Sequence, residues 1–399
     1  MQPVYIIDAI RTPVGRYSGS LSTIRPDDLL AYVIEAIVKR NGKIDVNDIE
    51  DVIAGDANQA GEDNRNVARM SALLAGLPVS IAGTTVNRLC ASGLQAIMDA
   101  SRAIMCGDGN LFLAGGVESM TRAPFVMAKS EGPFSRKAEI YDTTIGWRFS
   151  NKKLAEKYFP YSMGETAENV AKQWKISRHA QDEFALDSQE KYFTALAAGK
   201  WKDEIVPVDI TLNQTDKIIF DTDEHPRKSS LEKLSNLKPA FVKDGTVTAG
   251  NSSGINDGAA MLLLGNESMV KKYSLRPMAK IIGMAVAGVD PAIMGMGPVP
   301  ATRKALQRAG LSVSDLNLVE LNEAFASQSI ACIHELGLDL QRVNVNGGSI
   351  AIGHPLGCSG ARISTTLLYE MKRRGAQYGL ATMCVGVGQG AAIIYENLT

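Results

Sequence analysis

The chain carries an internal echo, and that echo limits its fold more than any other feature. The stretches Thr248 to Leu263 and Thr382 to Tyr395 share one order: an extended start, a glycine-rich turn, the triplet Gly-Ala-Ala and a second apolar run. Leu89-Cys90-Ala91-Ser92-Gly93 is likewise echoed by Gly357-Cys358-Ser359-Gly360. A pattern repeated in order calls for two copies of one unit, and 399 residues accommodate both copies with an insertion. Glycine-punctuated β-branched runs alternate with stretches of helical period, so the unit belongs to the α/β class.

Within this frame, Gly83 to Val86 reads as a strand. Leu94, Ile97, Met98, Ile104 and Met105 then recur at helical spacing, predicting a helix from about Ala91 with Cys90 at its N-terminus. Leu318 to Leu321 reads as a strand and Ala324 to Leu336 as a helix, with Asn322 at the junction. Asn346 to Gly360 reads as a glycine-rich loop feeding a helix with apolar Ile363, Leu367, Leu368 and Met371. Residues 119–249 are richer in charges and aromatics and contain Ser162-x-x-Glu165, a capping box. They read as an insertion in the first copy, giving units over 1–268 and 274–399.

Forty-two basic against 43 acidic residues leave a net charge of -1, which supplies no field for nucleic acid. The longest apolar run, Ala259 to Leu264, falls far short of the ~20 residues that span a bilayer. Neither a signal peptide at the start nor a peroxisomal address at Tyr-Glu-Asn-Leu-Thr is expected. Cys90, Cys106, Cys332, Cys358 and Cys384 are odd in number and form no C-x-x-C pair, which points to a reducing cytoplasm and no structural zinc.

The candidate chemistry gathers at four residues. A thiolate is a strong nucleophile, and a helix N-terminus lowers a thiol pKa, so Cys90 is a candidate nucleophile, although a lone cysteine is more often core. Cys384 precedes Gly386, Gly388 and Gly390, whose bare N–H groups could face an anionic oxygen, or which could simply form a tight turn. His354 is held before a proline among glycines and could activate a thiol. Asn322 reads more readily as a helix cap than as a group orienting water. A rival motif is Gly250-x-Ser252-x-Gly254, the serine-hydrolase elbow, but glycines and a strand-like run follow where that elbow needs a helix.

Taken in order, Val86-Asn-Arg-Leu-Cys90-Ala-Ser-Gly, Ala114-Gly-Gly-Val-Glu-Ser-Met, Thr248 to Gly258, Asn322-Glu-Ala-Phe-Ala, Gly353-His354-Pro-Leu-Gly and Cys384-Val-Gly386-Val-Gly-Gln-Gly resemble the thiolase superfamily of acyl-CoA C-acyltransferases, from Val4 to Tyr395. The resemblance implies a duplicated fold: two five-stranded mixed sheets in a five-layered α/β/α/β/α core, with the inserted loop domain binding coenzyme A. It implies that Cys90, activated by His354, is acylated, while Cys384 moves the proton at C2 of the substrate. It further implies that the N–H groups of Cys90 and Gly386 form one oxyanion hole, and His354 with a water on Asn322 the other. Arg227, Ser253 and Met163 match positions against coenzyme A, which is a substrate; no prosthetic group or metal is implied. The family also implies a homotetramer built from dimers.

This chain has Ala91, Cys358 and Ser252 where many relatives carry other small residues, and Ser162 where acetoacetyl-CoA-forming relatives commonly carry histidine. The stretches Glu118 to Met127, Tyr141 to Phe149 and Asp223 to Arg227 most resemble thiolases for 3-oxoadipyl-CoA, with general 3-ketoacyl-CoA cleavage in fatty-acid degradation as the alternative. A terminal carboxylate needs a cation, and Arg148 is the candidate, unless it pairs with a neighbouring surface acid.

Overall fold

A computed structural model describes residues 1–130, 132–211 and 217–399. Nine strands form one twisted sheet: β1 (Tyr5–Arg11), β2 (Asp51–Gly55), β3 (Ala82–Val86), β4 (Leu111–Ser119), β5 (Asn256–Gly265), β6 (Ala279–Gly288), β7 (Leu318–Leu321), β8 (Tyr378–Val385) and β9 (Gln389–Asn397). Their order is β7-β8-β9-β6-β1-β5-β4-β2-β3, and a short tenth strand, Gly15–Arg16, pairs with β5.

The duplication is explicit in this order. In the first copy β3 and β2 pair in parallel, as do β2 and β4, whereas β4–β5 and β5–β1 are antiparallel. In the second copy β7–β8 is parallel, while β8–β9 and β9–β6 are antiparallel. The place of the fifth strand is taken by a single parallel bridge between Val319 and Val343, because the chain there makes a 3-10 turn at Leu340–Arg342 and passes into the Asn346 loop. The five-strand expectation therefore holds in full for the first copy and is reduced to that bridge in the second. Two residue pairs, Tyr5 with Lys280 and Ile6 with Ala279, join the copies edge to edge.

Burial defines the layers. The helices Ser92–Cys106 and Leu356–Arg374 lie in the middle, where Leu94, Ile97, Met98, Ile363, Leu367 and Met371 pack with residues of both half-sheets. Helix Pro26–Arg40 covers the outer face of the first half-sheet, and helices Pro298–Ala309 and Ala326–Leu336 cover the second. Each central helix starts at a close approach that only glycine permits. A Cβ on Gly93 would lie 2.6 Å from the Gly357 carbonyl oxygen, and one on Gly360 only 2.2 Å from the Leu94 nitrogen.

The insertion falls between β4 and β5, where the second copy has only the turn Gly386-Val387-Gly388. Thr248 to Ser252 is therefore not a strand, unlike its echo in β8: the long excursion returns through a turn that enters β5. The inserted chain is tied to β1 by the fully buried Arg11, which bonds Glu204 at 2.6 Å and Asp223 at 2.7 Å and lies 5.4 Å from the Trp201 ring centre. Burial opposes this charge, but the two carboxylates outweigh it and hold the guanidinium ionised. The Ser162 capping box opens helix Met163–Gln173 as its spacing predicts.

Candidate active site

Cys90 stands two residues before the first residue of helix Ser92–Cys106, and His354 two residues before that of helix Leu356–Arg374. The sequence echo pairs Cys90 with Cys358, but the helix starts pair it with His354. Cys358 is buried inside its helix. The loop expected from Asn346 to Gly360 also contains the helical turn Ser349–Ile352, and the long helix already begins at Leu356.

The turn carrying Cys90 is held in a strained shape. Leu89 has φ of +46°, rare for a branched side chain, and its N–H donates to Asn87 Oδ1 at 2.8 Å. Ser92 Oγ donates to the Leu89 carbonyl at 2.6 Å and accepts from the Arg88 N–H at 2.9 Å. Arg88 then binds Gln95 and Gln389, each at 2.7 Å. The half-buried Cys90 thiol is thereby aimed at the second copy.

Its sulfur meets the backbone N–H of Gly386 and its own N–H, the two donors that sequence reasoning assigns to an oxyanion hole. The expected fall in pKa at the helix start does not occur. Desolvation pushes the thiol up to about 11, and those two N–H groups offset it only in part. Cys384, 1% exposed, lies close enough to interact electrostatically with Cys90; burial first, and Cys90 second, push its thiol well above the ordinary range. Cys384 packs with Met163, Ala167 and Val247 from the insertion and with Phe325, and Met163 Sδ lies 3.8 Å from the place of a Gly386 Cβ. The glycines after Cys384 do form a tight turn, and the same turn presents its N–H to Cys90.

His354 is buried, and desolvation followed by the positive charge of Arg362 lowers its pKa to about 3. Its backbone N–H donates to Asn256 Oδ1 at 2.9 Å. Its Nδ1 meets Ser359 Oγ at 2.6 Å, and that hydroxyl donates to the Pro355 carbonyl at 2.8 Å. The hydroxyl proton is thus committed, so Nδ1 carries the hydrogen and Nε2 the lone pair. Nε2 faces Asn322 Nδ2 at 3.4 Å. Asn322 is not the helix cap that local sequence favours: the cap is Phe325, and Asn322 is fully buried at the end of β7.

Ser253 is half-buried and donates its N–H to the Ala324 carbonyl at 3.0 Å, beside the Asn322 segment. Arg227 is exposed and donates to the Ala249 carbonyl at 3.2 Å. Neither is hydrogen-bonded to Cys90 or His354. Arg148 is half-buried and donates to the Asn58 carbonyl at 3.3 Å, with no carboxylate at ion-pair distance among the described residues. Ser252, the hydrolase candidate, spends its hydroxyl on the Thr248 carbonyl at 2.7 Å and is followed by β5, so it has neither the base nor the helix that an elbow requires.

Sequence reasoning missed Ser359, Asn256, Ser349, Arg362 and Glu118. Glu118 anchors the His354 loop, accepting from Gly357 N–H at 2.8 Å and Ala57 N–H at 3.0 Å. The available signal for Arg362 was a charge in the first turns of a helix whose positions up to Leu368 are otherwise small or apolar. Asp56, Asp63 and Glu118 each offer an oxygen within 4.8 Å of the others, the one such group among the described residues. Desolvation raises all three pKa values, Glu118 to about 7, so burial opposes ionising all three carboxyls together.

Residues 4–268 match the family described as "Thiolase, N-terminal domain", and residues 275–397 the one described as "Thiolase, C-terminal domain". The chain is 54% identical to the "3-oxoadipyl-CoA/3-oxo-5,6-dehydrosuberyl-CoA thiolase" of Escherichia coli (strain K12) over all of both chains. Among solved structures, an acetyl-CoA acetyltransferase of Bacillus anthracis superposes with a TM-score of 0.94 at 43% identity, covering 100% of this chain and 99% of that one. A human mitochondrial 3-ketoacyl-CoA thiolase in complex with CoA gives 0.91 at 40% identity, covering 99% and 98%.

The raised thiol predicts slow alkylation of Cys90 at neutral pH. Thiolate is the reacting form, so the iodoacetamide rate should climb about tenfold per pH unit from 7 to 10 without levelling off. The exposed Cys106 provides the internal comparison. A Cys90 rate that reaches a plateau near pH 8 or below would contradict the burial effect.

Proposed function

The chain belongs to the thiolase family, and from that premise we propose that it cleaves 3-oxoadipyl-CoA with coenzyme A, yielding acetyl-CoA and the shortened, carboxylate-bearing acyl-CoA. The observation carrying the chemistry is a Cys90 sulfur on the Gly386 N–H within electrostatic reach of the Cys384 thiol, together with an imidazole whose Nε2 holds a lone pair. Cys90 gives its proton to His354 Nε2 as its sulfur attacks C3. The tetrahedral oxygen on C3 is stabilised by the N–H groups of Cys90 and Gly386, and the oxygen of the acetyl-CoA enolate by His354, now an N–H donor, and by a water held on Asn322. The C2–C3 bond breaks, the acyl group stays on Cys90, and the enolate of acetyl-CoA takes the Cys384 proton. The incoming CoA thiol returns a proton to Cys384 and attacks the acyl-enzyme, whose carbonyl oxygen is stabilised by the N–H groups of Cys90 and Gly386. Cys90 leaves as thiolate and recovers its proton from His354. No prosthetic group enters this cycle. Five free thiols suit a reducing compartment such as the cytoplasm.

In this reading residues 119–249 form a CoA-binding region within an N-terminal unit over 1–268, opposite a C-terminal unit over 274–399. Met163, Ser253 and Arg227 are its CoA contacts. Cys90→Ala should abolish CoA-dependent cleavage, and Ser252→Ala should retain most of it. Cys384→Ala should still be acylated at Cys90 by acetyl-CoA, seen by mass spectrometry, yet fail to exchange the acetyl-CoA methyl protons with deuterated water. Normal exchange in that variant would assign the C2 proton to another group.

The acyl preference rests on Arg148. Asn58, whose carbonyl it binds, donates its own N–H to Glu118 Oε1 at 3.2 Å, so the guanidinium stands one residue from the framework of the His354 loop. A cation awaiting a carboxylate should reject the uncharged analogue, which leaves it desolvated without a partner. The expected kcat/KM for 3-oxoadipyl-CoA exceeds that for 3-oxohexanoyl-CoA by at least ~10-fold, about 1.4 kcal/mol, and Arg148→Ala narrows the gap. Equal preference would favour a general 3-ketoacyl-CoA thiolase of fatty-acid degradation or an acetoacetyl-CoA enzyme.

We also propose a homotetramer built from dimers. The hairpin strands Phe125–Met127 and Ile140–Asp142 expose Phe125 (74%), Met127 (60%) and Ile140 (67%), and the half-exposed strand β3 is the last strand at its end of the sheet. Two such surfaces suit two kinds of contact. Phe125→Asp combined with Ile140→Asp should reduce a tetramer to dimers by light scattering; a variant that stays tetrameric would exclude the hairpin.

A further inference from the structure

Arg362 lies in the middle of the protein with its charge met by one carboxylate that does not hydrogen-bond to it. Its side chain is fully buried on the helix that follows His354. Glu320 Oε2 is 3.7 Å from Nη1, too far for a hydrogen bond, and among the described residues Nε, Nη1 and that carboxylate oxygen have no hydrogen-bond partner. The neighbouring Arg11 is committed to Glu204 and Asp223. A buried cation satisfied this poorly is a liability for packing, since an apolar side chain of similar volume would fill the space at lower cost. The one strong bond Arg362 makes runs from Nη2 to Ser349 Oγ, at 2.6 Å.

We propose that Arg362 is a positioning residue for acyl transfer: acting through Ser349, it dictates which end of the Asn322 carboxamide faces His354. The argument is one of hydrogen-bond polarity. A guanidinium only donates, so Ser349 Oγ must accept from it and has its single proton left for its other partner. That partner is Asn322, at 2.6 Å, which must therefore present Oδ1 to the serine. The amide then turns Nδ2 toward His354 Nε2, 3.4 Å away. A reversed amide would set its oxygen against the Nε2 lone pair and leave no donor to hold a water at the enolate oxygen. Glu320 stands against Nη1 and leaves Nη2 to donate to Ser349.

This inference rests on the proposed cleavage, and its test separates the two. In steady-state cleavage of 3-oxoadipyl-CoA, Arg362→Met, which keeps volume and removes every donor, should lower kcat by on the order of tenfold or more, as expected when a reacting group loses its alignment. The KM for CoA should stay within about twofold, since Arg362 takes no part in ground-state CoA binding. Arg362→Lys restores a donor and should recover part of the loss. Ser349→Ala removes only the relay and should lower kcat roughly threefold or more at unchanged KM. Unchanged kcat in Arg362→Met or in Ser349→Ala overturns the inference, as does a parallel change in kcat and KM that lysine does not repair. If Arg362→Met does not fold, Ser349→Ala decides alone. A parent enzyme without cleavage overturns both the reaction and this role, whereas an active parent with indifferent variants overturns the role only.

Discussion

Everything at the candidate site depends on how closely the two central helices meet at their starts. Gly93 and Gly360 let backbone touch backbone, and Gly116 adds a third approach: a Cβ there would lie 2.1 Å from the Gly357 carbonyl oxygen. Because Cys90 and His354 stand at the same distance from their helix starts, a contact between the starts carries the two residues at matching positions beside it. The candidate site is thus a consequence of duplication. A single copy would carry one residue of the pair on a helix with nothing to face.

The copies have diverged in what they place at equivalent points. Asn322 directly follows β7, and Asp56 directly follows β2; Cys384 is the penultimate residue of β8, and Glu118 of β4. Asparagine and a thiol can hold water and shuttle a proton, and they fall in the second copy, Asn322 beside His354 and Cys384 within electrostatic reach of Cys90. Their counterparts in the first copy are carboxyls used as scaffolding, with Glu118 gathering the N–H groups of Ala57, Asn58 and Gly357. The turn that delivers the Gly386 N–H in one copy is the point where the other copy opens into the insertion carrying Met163.

Much of this was legible in the sequence, for identifiable reasons. Helical spacing and glycine punctuation exposed the Cys90 helix, β7 and β8, because burial on one face leaves a periodic mark. The alignment of the copies was misread at Cys358, since a shared Cys-Ser-Gly string says nothing about where a helix begins. Asn322 looked like a cap because local sequence cannot show that the helix waits until Ala326. The thiol pKa was expected on the wrong side because the helix start is a local property, while desolvation is set by residues far apart in the chain. Arg362 and Ser349 escaped for the same reason: their importance lies in a contact between the helical turn Ser349–Ile352 and the next helix, which no spacing rule describes.

The electrostatic character of the site follows from that depth. With Cys90 and Cys384 held as thiols and His354 as neutral imidazole, the resting pocket carries no charge on its candidate reacting groups. An ion pair between Cys90 and His354 is then costly until a carbonyl arrives to take the electrons, when charge moves onto an oxygen facing N–H donors already in position. Such a site limits wasteful reaction of its nucleophile with other electrophiles. It also makes the orientation of neutral dipoles, above all the Asn322 amide, the property the surrounding structure has to control. A buried cation that reaches the site only through a serine hydroxyl provides that control without placing its own charge against the thiols.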